Sequence, residues 1–455
     1  MSSDVKEETP SSSESDKVTV DDFVAYLPSH SYVFTPCREP WTASGVDARL
    51  PPIPVLKKNG QPKVVNGKLV TIKATTWLDR NRAVEQLVWC PGQPKLIADR
   101  LVVDGGWIER KGVQIFNLYR PPRIQLGDKA QATRWVEHWH RLYPAEAEHC
   151  IKWLAHRVQC PGEKINFGLV IGGAPGIGKD TLLEPVKYAV GNWNFHDVTP
   201  AHPLASFNAY AKSIILRVNE GRDLGDVNRF KFYDHTKIYT AAPPDVLRVN
   251  EKHIREYYVF NVIGFILTTN HRTDGIYLPA DDRRHFVVWS DCTKADFTPE
   301  YWTKLWHWYR YETGFEHVAA YLHALDISGF DPKAPPPQTP AFWSIVNAGN
   351  APEDAELADV IDKLKWPNAL TPKDVIAAAT GGTVEWLSDR KLRRAFPHRL
   401  ERCGYVFVRN PDAKDGYWVI AGTRQPVYAR AILSEAERLI AATKLMKSKG
   451  DNNGV

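Results

Sequence analysis

Residues 166–181 read Asn-Phe-Gly-Leu-Val-Ile-Gly-Gly-Ala-Pro-Gly-Ile-Gly-Lys-Asp-Thr, and no other stretch limits the fold of this chain as tightly. Phe167 to Ile171 is a short apolar run of the kind that forms a buried strand. It runs into a glycine-rich turn, and Lys179 stands where an apolar helix bearing Leu182, Leu183, Val186 and Val190 begins. From Gly173 the spacing is G-x-x-x-x-G-K, through Ala174, Pro175, Gly176, Ile177 and Gly178 to Lys179. In a strand–loop–helix of this pattern the backbone N–H groups form a concave anion site, and the lysine reaches the outer phosphates. The expectation is therefore a nucleoside triphosphate cradle spanning residues 173–181. It departs from the usual pattern at Asp180, which stands where a Ser or Thr hydroxyl is expected, with Thr181 one place later.

With 43% hydrophobic and 24% charged residues over 455 positions, the chain has the composition of a globular protein of two to four domains. Its net charge of +5 is mild, so affinity for nucleic acid has to come from local basic patches. The six cysteines show neither C-x-x-C pairs nor metal-site spacing, which argues against a zinc ribbon or a disulfide framework. No run approaches the length of a membrane span and no signal peptide is present, so a cytoplasmic protein is expected.

Along the chain, residues 1–25 read as a disordered tail and residues 26–128 as a mixed α/β accessory region. Within that region Trp77 to Trp89 has a helical pattern, and Leu101 to Tyr119 reads as a hairpin turning at Asp104-Gly105-Gly106. Residues 129–330 form the expected α/β core. Two amphipathic helices parted by Pro144 lead into the glycine-rich loop, and apolar strands at Ser213–Val218 and Val262–Thr268 end on Asn219-Glu220 and Thr269-Asn270. Strands alternating with helices and ending on polar residues predict a mostly parallel sheet with its site at the carboxyl edge. A proline-rich linker, residues 331–352, precedes three helices and a hairpin in residues 353–424, the pattern of a winged helix, with a C-terminal helix and tail in 425–455. The hairpin is expected to pair Tyr405–Arg409 with Gly416–Ile420. The third helix carries Arg390, Arg393 and Arg394, which suit it to DNA.

Triphosphate hydrolysis needs a cradle, a metal ligand, a group that orients water and positive charge for the transition state. Lys179, Asp180 with Thr181, Glu220, Asn270, and Arg283 with Arg284 occur in that order. The series resembles the motifs of superfamily 3 helicases, AAA-related ring motors, and is most similar to the helicase half of phage and prophage primase-helicases. The resemblance covers residues 130–292 and extends to the winged helix. It implies ATP and Mg²⁺ as cofactors, Lys179 on the β- and γ-phosphates, Glu220 as the water-activating carboxylate, Asn270 as the sensor, and Arg283 or Arg284 as an arginine finger acting on a neighbouring subunit. It implies a homo-hexameric ring, and a central-channel hairpin at Val249–Ile254 whose Lys252 and His253 grip single-stranded DNA.

Where the family usually has an acidic pair this chain has Asn219-Glu220, so Asp180 is expected to supply the missing charge to Mg²⁺, assisted by Thr181 and alongside Glu220. No D-x-D pair precedes residue 130, so priming is not expected of this chain. The expected activity is an ATP-dependent DNA helicase or translocase working on single-stranded and duplex DNA, with a separate primase or loader left open as a partner. Two rivals remain: an ATP-switched initiator without motor activity, and a P-loop kinase of small molecules.

Overall fold

The structure, a computed structural model, describes residues 17–202, 208–219, 225–251, 256–272, 276–348, 352–379 and 396–450. The chain divides into two compact units, Met1–Ile345 and Val346–Val455. Both are mixed α/β, and no helix among the described residues is long and apolar enough to cross a membrane.

In the first unit the central feature is a five-stranded, wholly parallel sheet. Counting from the glycine-rich loop, its elements are β1 (Gly168–Gly173), α1 (Lys179–Val190), β2 (Phe195–Val198), β3 (Ile215–Asn219), α2 (Gly225–Thr240), the antiparallel pair β4 (Val246–Val249) and β5 (Tyr257–Phe260), β6 (Gly264–Thr269) and β7 (His285–Ser290). Spatial order is β2-β3-β6-β1-β7, so β6 lies between the strand that enters the loop and the strand that ends on Asn219. All six residues of β1 and of β6 are buried, as their continuous apolar runs require for strands covered on both faces. Gly172 is needed for packing: a Cβ there would run into the Trp289 ring on β7.

The two helices parted by Pro144, Thr133–Leu142 and Ala147–Gln159, hold β1 and α1 through aromatic donors. Trp135 Nε1 donates to Leu182 O at 2.9 Å, Tyr143 Oη to Gly172 O at 3.0 Å and Trp153 Nε1 to Phe167 O at 3.2 Å. All three rings are fully buried, so each brings a large apolar surface while its one polar atom is satisfied.

The accessory region differs from expectation in two places. Residues 17–25 are not tail: Phe23–Tyr26 is a fully buried strand, set between Ser31–Phe34 and Ala83–Val84 in a four-stranded sheet. The segment Trp77–Trp89 is not one helix. Its helix, Ala74–Asn81, stops, and Ala83–Val84 and Gln86–Val88 pair as strands with Tyr26 and Phe116 neighbours. Val84, Leu87 and Val88 fit either period, and pairing with distant strands decides between them. The hairpin over Leu101–Tyr119 is present, as Leu96–Val103 against Gly106–Asn117. The proline-rich stretch docks instead of hanging free: Asn166 N donates to Pro332 O at 2.8 Å, and Thr339 Oγ1 donates to Val287 O at 2.5 Å.

The second unit contains helices Pro352–Lys363, Pro372–Ala378 and Phe396–Arg402, then Glu435–Gly450. Its main sheet has the order Ala369–Leu370, Val427–Arg430, Tyr405–Val408. The hairpin expected between Tyr405–Arg409 and Gly416–Ile420 is therefore absent. Trp418–Ile420 turns back instead on Thr423–Gln425 through Ala421 and Gly422, whose φ values of 47° and 68° form a tight two-residue turn. Val427–Arg430 is strand and not helix, and the last helix packs Ala442 against Val408, Trp418 and Val427.

Candidate functional site

A cavity of about 490 Å³ opens at the carboxyl edge of β1, β3 and β6. Around it stand Pro175, Gly176 and Gly178 of the loop, then Lys179, Asp180 and Thr181 at the start of α1, Asn219 from β3, Thr268, Thr269 and Asn270 from β6, and Trp302 and Trp306 from the helix Pro299–Tyr311. The loop closes because Gly176 and Gly178 adopt φ values of 80° and 91°, where a side chain is disfavoured. At Gly178 a Cβ would also meet the Trp302 ring, and His138 Nε2 at 2.7 Å.

Lys179 is almost buried and its ammonium is turned back into the loop. It donates to Gly173 O at 2.7 Å, Ala174 O at 2.9 Å and Asn270 Oδ1 at 2.7 Å. The expected cradle lysine and the expected sensor asparagine, 91 residues apart in sequence, thus share a hydrogen bond across the cavity. Because all three acceptors carry only partial charge, an anionic phosphate is a stronger partner for the ammonium than any of them. Asn219 Oδ1 accepts from Thr268 Oγ1 at 3.0 Å, which fixes the amide at the cavity wall.

Asp180 makes a contact that sequence spacing does not reveal: Arg217, on β3, reaches its Oδ1 at 2.9 Å and also pairs with Asp197 on β2. The Asp180 side chain is mostly exposed and lines the cavity, but its charge is shared with that guanidinium. The chemistry of the lining fits a magnesium–triphosphate. The α1 N-terminus and Lys179 suit the phosphates, while the Thr181 hydroxyl, the Asn219 amide oxygen and the Asp180 carboxylate are hard oxygen donors suited to Mg²⁺.

Beneath the loop His138 is fully buried, with Nδ1 2.7 Å from Tyr301 Oη and Nε2 3.4 Å from Gly178 O, and the rings of Phe297 and Trp302 against it. Burial lowers its pKa to about 4. Since the unfolded chain takes up this proton near pH 6.5, the neutral ring favours the fold above that pH, and the stabilisation is lost as pH falls from 6.5 towards 4. A loss of roughly 3 kcal/mol is expected over that window, and His138→Gln should flatten this part of the melting-temperature profile.

Arg283 and Arg284 lie at the other edge of the sheet. Gly168 N, at the start of β1, donates to Arg284 O at 2.8 Å, and β7 begins with the next residue. A six-residue strand, roughly 20 Å long, separates them from the cavity mouth. Their turn is held by buried Asp282, which accepts from Tyr233 Oη at 2.7 Å, Arg284 N at 2.9 Å and His285 N at 3.0 Å, and contacts His285 Nδ1 at 3.1 Å. Burial alone would raise the Asp282 carboxyl, but the hydrogen bonds from His285, Tyr233 and the backbone outweigh it and bring it down to about 2.

Glu220, Lys252, His253, Arg390, Arg393 and Arg394 lie outside the described residues. The segment holding Lys252 and His253 joins the two arms of the β4–β5 hairpin, whose register runs from Val246 opposite Phe260 to Val249 opposite Tyr257. The accessory region braces this hairpin: Trp107 stacks on Phe260 with ring centroids 5.0 Å apart, and Val246 sits in a core with Val88, Ile97, Val102 and Ile115. Sequence reasoning missed Trp302 and Trp306. Their only signal is the aromatic density of residues 301–311, which reads equally as core.

Among the described residues one trio, His156, Cys160 and Glu163, has side-chain donors close enough together for a metal. The Arg157 guanidinium can only donate, and its Nη2 lies 2.8 Å from His156 Nδ1, which puts the ring proton on Nε2, facing Glu163 Oε2 at 3.2 Å. That tautomer leaves no lone pair for a metal.

A family model described as a family of unknown function (DUF5906) matches residues 170–284. That is roughly a quarter of the chain, and it takes in Lys179, Asn219, Asn270 and the β4–β5 hairpin. No curated protein matches. Among solved structures, the apo C-terminal region of NrS-1 (305–718) is similar, with a TM-score of 0.50 at 15% identity over 81% of this chain and 92% of that one. Two A-form apo structures of the NrS-1 C-terminal region give TM-scores of 0.48 and 0.49 at 16% and 14% identity, each over 93% of that chain. At such identity the likeness is one of fold.

Proposed function

We propose that the chain is an ATP-dependent DNA translocase or helicase of superfamily 3 type, acting in replication as a ring of identical subunits. The observation that carries this reading is the cavity joining Lys179, Thr181, Asn219 and Asn270 at the carboxyl edge of a parallel sheet. The strand order supports an AAA-related core, because β6, between β1 and β3, brings a polar strand end to the γ-phosphate side of the loop. Lys179 would hold the outer phosphates once they replace the carbonyl and amide oxygens that it meets among the described residues. Thr181 and Asn219, with Asp180 if it leaves Arg217, would offer oxygen to Mg²⁺, whose part is to neutralise phosphate charge. Glu220, directly after β3, is proposed to orient the attacking water. The ring enters through Arg283 and Arg284, which stand too far from their own cavity and would complete a neighbour's. In the second unit, the sheet order Ala369–Leu370, Val427–Arg430, Tyr405–Val408 beside three helices supports a winged helix that binds duplex DNA.

A small-molecule kinase needs no antiparallel hairpin braced by an accessory region, and the β4–β5 pair favours a motor for that reason. Replacing Lys252 and His253 by Ala is the test of the reading. Strand separation and the stimulation of hydrolysis by single-stranded DNA should both be lost, since these side chains are proposed to hold the strand. Unwinding at the parental rate would move the grip elsewhere.

A further inference from the structure

Between the accessory region and the core lies a second cavity, of about 480 Å³, with no assigned role. Arg38, Arg120 and Lys212 line it, together with Trp193, Glu251 and Tyr257. Arg38 holds φ at 70°, a conformation that non-glycine residues seldom keep without cause. Its guanidinium donates to Thr35 O at 2.5 Å, reaches Tyr119 O at 3.5 Å and lies over the Phe116 ring, while its Nε is buried with no hydrogen-bond partner. Arg120 lies over the Trp193 ring at 4.2 Å. Among the described residues, no carboxylate forms an ion pair with Arg38, Arg120, Arg123 or Lys95. Glu251 is engaged by Lys212 and by Tyr257 Oη, and Glu39 on the rim pairs with none of them. Burial and the neighbouring charges of Arg120 and Arg123 lower Arg38 to about 10, and burial together with Arg38 and Arg82 also lowers Lys95. Like charges gathered this closely cost stability unless an anion joins them.

We infer that this cleft binds the phosphodiester backbone of single-stranded DNA, with Arg38 and Arg120 as the phosphate contacts. Two features choose a nucleic acid strand over a free anion. Trp193 offers a partly exposed ring next to the cations, the pairing of aromatic face and positive charge that sequence-tolerant strand binders use. The cleft also lies at the loop end of the β4–β5 hairpin, since Glu251 and Tyr257, which line it, flank in sequence the segment carrying Lys252 and His253, where the function proposed above puts a strand. The choice of DNA rests on the function proposed above; the cation cluster does not.

The experiment is fluorescence anisotropy of the full chain with a labelled oligothymidylate of about 20 nucleotides, without nucleotide, over a range of salt. Omitting ATP makes the result independent of whether the chain hydrolyses it. Arg38→Ala/Arg120→Ala should weaken binding roughly tenfold or more and flatten the log–log salt slope by about 1.4, at about 0.7 per lost single-strand contact. Arg123→Glu, an exposed change that puts no fold at risk, should weaken binding in the same direction, while Arg38→Lys should keep the slope. Lys57→Ala/Lys63→Ala removes as much charge at exposed positions that do not line the cleft and should change neither. Undiminished binding by Arg123→Glu, an equal loss in the lysine variant, or no binding of the oligonucleotide by the parental chain would each overturn the inference.

Discussion

Lys179→Ala is expected to lower ATP turnover by at least roughly 10² to 10³, the scale on which a single preorganised donor to a developing charge contributes. The lysine already sits in the cavity, held by Gly173 O, Ala174 O and Asn270 Oδ1, so no rearrangement of the sheet is needed for it to reach a triphosphate. Its removal leaves Trp135, Tyr143 and Trp153 in place, and these hold β1 and α1. Circular dichroism should therefore match the parent while phosphate release falls. Turnover within a factor of two of the parent would show that the cavity is not the hydrolytic site.

Removing both arginines at the start of β7 is expected to cost roughly 10³ to 10⁵ in rate, the range of arginine fingers. Asp282, which takes the backbone N–H groups of Arg284 and His285 and the Tyr233 hydroxyl, keeps the turn in shape without either side chain. Because the pair stands a strand length from its own cavity, the defect should be complemented. Arg283→Ala/Arg284→Ala subunits mixed with Lys179→Ala subunits should regain part of the parental rate, each supplying what the other lacks. Mixed assemblies of proven composition that stay inactive would place the arginines outside catalysis.

What the sequence made legible was local. The glycine-rich loop, the strands feeding it and the polar residues that close β3 and β6 each occupy a few consecutive positions, and the sheet brings Lys179, Asn219 and Asn270 to one cavity as their strand-end positions imply. Pairings across long separations were not legible. Arg217 pairs with Asp197 because β2 and β3 are adjacent and reaches Asp180 from β3 to the start of α1, and β2 itself, Phe-His-Asp-Val, is too short and too mixed to read as a strand. Phe23–Tyr26 follows a polar, acidic leader and is buried only because strands from residues 31–34 and 83–84 flank it. Tyr405–Val408 takes Val427–Arg430 as its partner because Ala421 and Gly422 turn the intervening segment back on itself first. The cation cluster around Arg38 joins residues 38, 95, 120 and 123, and no local pattern announces it.

Steady-state ATP hydrolysis by the full chain, with and without Mg²⁺ and titrated with single-stranded DNA, tests the central claim most directly. The account predicts turnover that requires Mg²⁺, rises several-fold as the strand is added and disappears in Lys179→Ala. Hydrolysis that is absent under all these conditions, or that proceeds at one rate whatever DNA is present, would contradict it.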